Sequence, residues 1–269
     1  VTIDLDLDAY FERIRWGNPN RPTYDTLAGL LSAHMACIPF ENLDVLLGRT
    51  IRLDLEGLQL KLVQNHRGGY CFEHATLFAA VLEKLGFQPV RHSARVVLFV
   101  PRVAAPRTHM FLTVGLDGGN FVIDPGFGAL APRVPVPVAE DALLYSEDEK
   151  HWLAKDGQYW VLRARTGEKV IDCWASTLER ENLVDFDMGN HFTATYPASP
   201  FVNRIMMRAF TEQGRITVMN RDVTTWHGDE SHSAQLSDRV ALRTLLFEHF
   251  GFDLPEVESL CVPAIPEWR

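Results

Sequence analysis

Cysteine is scarce in this chain and nowhere clustered. The four cysteines, at 37, 71, 173 and 261, include no close pair and no C-x-x-C. That excludes a disulfide framework and a zinc knuckle, and it suits a reducing cytosol. No run of about 18 apolar residues occurs, so no membrane span is expected. Residues 1–8 alternate apolar and acidic side chains without a basic n-region, which does not read as a signal peptide. A cytoplasmic location is therefore expected. Positive charge is also short: 26 Lys and Arg face 35 Asp and Glu, a formal net charge of −9. This argues against nucleic acid or an anionic membrane as the main partner. There is no internal repeat, no low-complexity tract and no H-E-x-x-H. Cys71 and His74 stand at helical i, i+3 but lack a third and fourth ligand, so no metal is expected.

What the chain does have is an ordinary globular composition over 269 residues, enough for one large domain or two to three smaller ones. Its pattern changes twice. Residues 9–86 read as helix: a first from Ala9, ended by Gly17-Asn18-Pro19; a second over Thr23–Ile38, capped by Thr23 or Asp25; a short third over Leu55–Val63. From about 89 the pattern is strand. Val90–Val100 is Val-rich, Thr108–Leu116 alternates, and Asp117-Gly118 signals a type I′ hairpin into Asn120–Asp124. A second hairpin turns at Lys155-Asp156-Gly157-Gln158. After about 195 the pattern mixes: Phe201–Phe210 reads as strand, Ile216–Met219 and Val223–Trp226 as a hairpin, and a last helix starts at Ser237 and ends at Gly251. This order predicts an α+β protein in three parts: helices over 1–88, an antiparallel sheet or small barrel over 89–195, and a mixed unit over 196–269.

The most informative stretch is Arg67-Gly68-Gly69-Tyr70-Cys71-Phe72-Glu73-His74. Positions 71, 75, 78, 82 and 85 hold Cys, Ala, Phe, Leu and Leu, which is helical spacing, and Gly86 stops it. Cys71 then sits in a first helical turn, where unpaired N–H groups and the helix dipole favour thiolate over thiol. Gly68 and Gly69 can take positive φ and leave space beside the sulfur. This is how a nucleophilic cysteine is built; a small buried core residue is the bland alternative. The first hairpin permits a geometric test. With Asp117 and Gly118 as central turn residues, Leu116 pairs with Gly119, Phe111 with Asp124, and His109 with Gly126. His109 and Asp124 become diagonal neighbours on one face, within side-chain reach. A carboxylate orienting an imidazole is what thiol chemistry needs. A sheet histidine and a turn-capping Asp before Pro are the alternatives for these two.

Arg67–Glu73, Thr108-His109-Met110 and Asp124-Pro125-Gly126-Phe127-Gly128 resemble three signature stretches of the arylamine N-acetyltransferases, and Pro39–Asp44 resembles a fourth. The likeness is strongest over 39–138 and weak after about 195. It implies a helical bundle, a β-barrel and an α/β lid around a cysteine-protease-like Cys-His-Asp core. It implies a two-step exchange in which Cys71 takes the acetyl group of acetyl-CoA and passes it to an arylamine or arylhydrazine. His109 serves as general base and acid, and Asp124 orients His109. Phe40 and Phe127, with Val97 a weaker candidate, match family residues lining the acceptor pocket. The Gly126-Phe127-Gly128 turn resembles the family's loop near the CoA pyrophosphate. The backbone N–H of Phe72 is the expected oxyanion donor. Because CoA is anionic and this chain acidic, its binding needs a local cationic cluster, with Arg67 and Arg133 as contributors. Glu41 and Asn42 read as buried hydrogen-bond partners. Other readings keep the same three residues: a papain- or transglutaminase-like hydrolase, a macrolactam-forming amide synthase, or a binding protein that kept the fold. The missing Cys-Gly-Ser-Cys-Trp and the short Cys71–His109 spacing disfavour a papain-like protease. Oligomeric state is not specified by the sequence.

Overall fold

Capping side chains decide where the helices begin. In the computed structural model, which describes residues 4–18, 21–140, 144–145, 150–211, 214–228 and 230–268, α1 (Leu7–Ile14) starts earlier than Ala9. Asp6 caps it, accepting the Ala9 N–H at 3.0 Å. It stops when Arg15 turns left-handed at φ 56°, ahead of the expected Gly17-Asn18-Pro19 stop; Pro19 lies outside the described residues. Thr23, not Asp25, caps α2 (Tyr24–Cys37), accepting the Thr26 N–H. A short α3 (Leu43–Leu46) has no counterpart in the sequence reading. The helix expected over 55–63 is α4 (Leu55–Leu58) running into a π-helical segment, Gln59–Gln64. Then comes α5 (Cys71–Lys84), with Gly86 at φ +85° just past its end. Leu27, Leu30, Leu31 and Met35 of α2 share one core with Ala75, Phe78 and Leu82 of α5.

Strands β1 (Pro89–Val96), β2 (Arg107–Leu116), β3 (Gly119–Ile123), β4 (Val136–Pro137), β5 (Leu144–Tyr145), β6 (Lys150–Asp156), β7 (Tyr159–Thr166) and β8 (Lys169–Ser176) form one antiparallel sheet. Its order is β4-β3-β2-β1-β8-β7-β6-β5. Glu140, just past β4, bridges to Leu153 of β6, so the two ends nearly meet and the sheet is barrel-like. β1 ends at Val96, short of the expected Val100. Beyond it the Val97 N–H bonds the Cys173 carbonyl at 3.0 Å, and Phe99 and Val100 turn out to solvent before Pro101.

Helix α6 (Leu183–Thr195) follows. The stretch 201–210, read as one strand, divides into α7 (Pro200–Asn203) and β9 (Met206–Thr211). Ser199 caps α7, and Pro200 at its first position suits a helix start. β9, β10 (Gly214–Met219), β11 (Asp222–His227) and β12 (Glu230–Gln235) make a second antiparallel sheet. Met219 pairs with Asp222, so Asn220 and Arg221 are the turn residues of the expected hairpin, with Asn220 at φ 57°. The last helix, α8 (Arg239–Leu245), is capped by Asp238 rather than Ser237. The Asp238 carboxylate accepts the Ala241 N–H at 2.8 Å. α8 runs into a π-helical segment, Leu246–Phe250, ended by Gly251 at φ +80°. Leu242, Leu246 and Phe250 pack on Met207, Ala209, Ile216 and Val218, one face of this sheet. Asn42 straps the helices to it: its amide donates to the Phe201 and Arg204 carbonyls (2.9 and 2.7 Å) and accepts the Met206 N–H (2.9 Å). Among the described residues no helix is long and apolar enough to cross a membrane.

Candidate active site

Cys71 opens α5, and the main chain before it is held from below. The Glu73 carboxylate accepts the Tyr70 N–H at 3.0 Å and pairs with Lys61 at 2.8 Å. Glu41 accepts two hydrogen bonds from Arg67 (3.0 and 2.7 Å) and the Leu43 N–H (2.7 Å). Glu41 and Asn42 are thus the buried hydrogen-bond partners expected. Two expectations fail here. Gly68 and Gly69 take no positive φ and open no space beside the sulfur. They are glycines because other groups lie where a Cβ would be: the Pro39 carbonyl 2.1 Å away at Gly68, the Glu73 carboxylate 2.7 Å away at Gly69. Arg67 is buried between Glu41 and Asp44, with its guanidinium over the Phe252 ring. It has no part in a surface cluster for an anion.

The glycine that does border the cysteine is Gly126. A Cβ there would lie 2.6 Å from Cys71 Cα, inside any real contact. Gly126→Ala is therefore expected to push the 124–128 turn off α5. It should destabilise the fold by about 1–3 kcal/mol and slow Cys71 alkylation about 100-fold by misplacing its neighbours. Thermal melting and iodoacetamide kinetics check both; wild-type values for both would show that the turn has slack.

The hairpin register is as expected: Leu116 pairs with Gly119 and Leu112 with Ile123, which sets Phe111 opposite Asp124. The turn type is not. Neither Asp117 nor Gly118 has positive φ; Gly119 carries it, at 121°, so the register holds without a type I′ turn. His109 Nε2 lies 2.8 Å from Asp124 Oδ2, both groups buried. Nε2 is thus taken by Asp124, and Cys71 lies beside the same imidazole and favours its charged form. Two register shifts flank this pair. One, where β1 passes from Ala94 to Arg95, leaves Thr108 unpaired beside His109. The Thr108 carbonyl then receives the Cys71 thiol at 3.7 Å. The other, at Leu162/Arg163, makes Cys173 the extra residue of β8 just before Trp174. Bulges of this kind re-aim side chains. Burial opposes a charged imidazole, but Asp124, by charge and hydrogen bond, and Cys71 beside the ring outweigh it. Together they hold His109 up at about 10.

Of the other expected residues, Phe127 sets its ring edge-on to His109 at 4.9 Å. Phe40 lies against Gly128, where a Cβ would sit 3.4 Å from its ring, and its backbone exchanges both hydrogen bonds with Arg208 of β9. Val97 is held by its N–H beside Trp174. Phe72 directs its side chain into the core, and its N–H belongs to the first turn of α5. The site thus gathers Cys71, His109, Asp124, Phe40, Phe127 and the Gly126–Gly128 turn. Arg133 stacks on Phe210 at 4.6 Å. It borders a cavity of about 930 Å³ whose charged and imidazole side chains are Arg13, Arg15, His66, His227 and His249 together with Glu12 and Glu248. Spacing did not reveal this rim of mixed charge, because its members come from five separate segments. Trp174, whose indole N–H bonds Asp124 Oδ2 at 2.9 Å, was also missed. Period-2 alternation could not have placed it, because β8 buries Cys173, Trp174, Ala175 and Ser176 in a row.

A second buried polar chain lies behind the site. The Tyr10 hydroxyl meets His34 Nδ1 (2.9 Å), His34 Nε2 meets His74 Nδ1 (2.8 Å), and His74 Nε2 meets the Pro39 carbonyl (3.1 Å). A carbonyl only accepts, so the donors run one way, from Tyr10 to Pro39. His74 is therefore committed to this chain. Among the described residues no group of three or more His, Cys, Asp or Glu is arranged to hold a metal.

Known proteins resemble this chain over most of its length. A family model described as N-acetyltransferase matches residues 23–259. An arylamine N-acetyltransferase of Escherichia coli K12 is 34% identical over 256 residues, covering 94% of this chain and 90% of that protein. The structure of Mycobacterium marinum arylamine N-acetyltransferase superposes with a TM-score of 0.90 at 32% identity, covering 94% of both chains. A structure of the same enzyme in complex with CoA gives 0.89 at 33% identity, again over 94% of both.

Proposed function

The chain belongs to the arylamine N-acetyltransferase family, enzymes of the acyltransferase class, and on that premise we propose that it acetylates arylamines and arylhydrazines from acetyl-CoA through an acetyl-cysteine at Cys71. The observation that carries this reading is the buried His109, hydrogen-bonded to Asp124 and lying beside Cys71 at the start of α5. In the first step the Cys71 thiolate attacks the thioester carbonyl, and the Phe72 N–H receives the developing oxyanion. The carbon–sulfur bond to CoA breaks, and CoA leaves with the proton that His109 held. In the second step the amine nitrogen attacks the acetyl-cysteine. His109 takes the amine's proton and Cys71 departs as thiolate. Asp124 keeps the imidazole oriented and stabilises its charged form in both steps.

Phe40 and Phe127 offer apolar walls to a flat aromatic amine. The Gly126-Phe127-Gly128 turn is our candidate for the pyrophosphate, where main-chain N–H groups can face phosphate oxygens. Arg15 and Arg133 are our candidates for the donor's phosphates, on a wall they share with Arg13, Glu12 and Glu248. In this reading residues 1–88 bring the nucleophile, 89–195 the histidine and carboxylate, and 196–269 a lid facing Phe40. Intact mass after brief mixing with acetyl-CoA, followed by peptide mapping, tests it. One acetyl on Cys71, discharged by an arylamine or hydrazine, is the expected result. No adduct, with Cys71 still alkylating readily, overturns acetyl-CoA as donor and points to a hydrolase or an amide synthase.

A further inference from the structure

The Asp124 carboxylate is held asymmetrically. One oxygen, Oδ2, accepts from both His109 Nε2 and Trp174 Nε1, at 2.8 and 2.9 Å. The other, Oδ1, is buried and has no hydrogen-bond partner among the described residues. A single hydrogen bond from His109 leaves the carboxylate able to swing about its Cβ–Cγ bond and offer either oxygen. A second donor on the same oxygen removes that freedom. Trp174 is suited to this task because it is rigidly placed. It is fully buried, stacked on Phe111 with ring centroids 4.3 Å apart, and carried on β8 immediately after the residue that the bulge leaves over. Phe111 itself stands in β2, two residues from His109, and stacks on that ring at 6.3 Å. His109, Phe111, Trp174 and Asp124 thus close a loop in which each fixes the next.

The chemistry of the indole adds direction. Its N–H donates and never accepts. The indole N–H favours the ionised carboxylate, and Oδ2 keeps a further lone pair for His109 Nε2.

We propose that Trp174 is a positioning residue: it pins the Asp124 carboxylate so that His109 is presented to Cys71 in one orientation. The proposal rests on the acyl-transfer reading for its purpose, but its test does not depend on an acyl donor.

The test is the pH profile of Cys71 alkylation by iodoacetamide, in wild type and in two replacements at 174. Trp174→Phe keeps an aromatic ring on Phe111. Incorporation of benzothienylalanine keeps the bicyclic shape and removes only the N–H. Both are expected to lose about 10- to 100-fold in alkylation rate at neutral pH, the scale of a slightly misplaced reacting group. In both, the alkaline limb set by His109 should fall by one pH unit or more, because a carboxylate free to turn supports the imidazolium less. Among the described residues, the groups facing that imidazole are Asp124, Cys71 and the uncharged rings of Phe111, Phe127 and Trp174, so the limb reports on Asp124 and Cys71. A limb that stays or rises in the benzothienylalanine protein overturns the proposal, even if the melting temperature drops. If acetyl-CoA fails to label wild-type Cys71 while the limb shifts as expected, the acyl-donor reading fails and the role of Trp174 stands.

Discussion

Replacing Cys71 with alanine is expected to abolish acetyl transfer, with turnover falling by at least about 10⁴-fold, while the protein still melts cooperatively. The expectation follows from the division of labour in the proposed route. Removing the sulfur leaves no atom to carry the acetyl group between donor and acceptor. What persists is only the site's ability to hold both molecules near each other. The cysteine contributes little to packing that a methyl group cannot replace, since its thiol makes one long contact to the Thr108 carbonyl and lies against His109. Appreciable turnover by Cys71→Ala would remove the acetyl-cysteine from the mechanism. The pH profile of the wild-type enzyme gives a companion test. His109 titrates at about 10, so the sulfur faces an imidazolium across the neutral range. The alkaline limb of Cys71 acylation should therefore fall near pH 10, not near the ordinary imidazole value of about 6.5.

Acidification is expected to destabilise the protein well above the range where its carboxylates titrate. The cause is the buried chain through His34 and His74. Desolvation pulls both imidazoles down, His34 with help from the charge of a protonated His74 and His74 with help from Arg208; His74 falls to about 3. An unfolded chain protonates these histidines near 6.5, while the folded protein keeps them neutral. Between pH 6.5 and about 3 the unfolded state thus binds more protons, and stability falls as pH falls. Each such group costs about 1.4 kcal/mol per pH unit. At pH 5 His74 alone then removes about 2 kcal/mol, and His34 adds in the same direction. His109 does not compensate. Its raised pKa contributes stability that is fully present below 6.5 and is lost only as pH approaches 10. Asp44, held down at about 2 by Lys61 and Arg67 in spite of its burial, adds a further loss only below about 4. Against a total of about 5–15 kcal/mol, the histidines decide. Thermal melting from pH 7.5 to 4.5 should show a fall of roughly 10 °C, most of it below pH 6. A melting temperature flat from 7.5 to 5 would mean that the chain admits a proton or water when acidified.

These two expectations differ in where they were legible. Cys71, His109 and Asp124 stand out in the sequence because local spacing encodes their placement. Helical periodicity after Gly68-Gly69 puts Cys71 in a first turn. A two-residue turn at Asp117-Gly118 fixes the pairing of β2 with β3, and the pairing fixes which side chains are neighbours. The register survives even though the turn is not type I′, because two-residue connections share it. Caps read the same way where one side chain is within reach, as at Thr23. They fail where two neighbours compete, as at Ser237 and Asp238.

Other features depend on contacts that no spacing describes. Gly68 and Gly126 are glycines because main chain from distant segments fills the space a Cβ would take. Arg67 is a buried ion-pair partner because Glu41 and Asp44 fold over it. Tyr10, His34 and His74 come from three helices, and their chain exists only once those helices pack. Trp174 reaches Asp124 from β8, beside the bulge at Cys173 and stacked on Phe111, which pairs opposite Asp124. The sequence by itself determined the local elements, the hairpin register, and hence the meeting of imidazole and carboxylate, since these depend on bonds between near neighbours. Tertiary packing decided which buried groups are charged, which are neutral, and what holds them still, because desolvation and donor geometry are set by whatever else the fold brings to the same place.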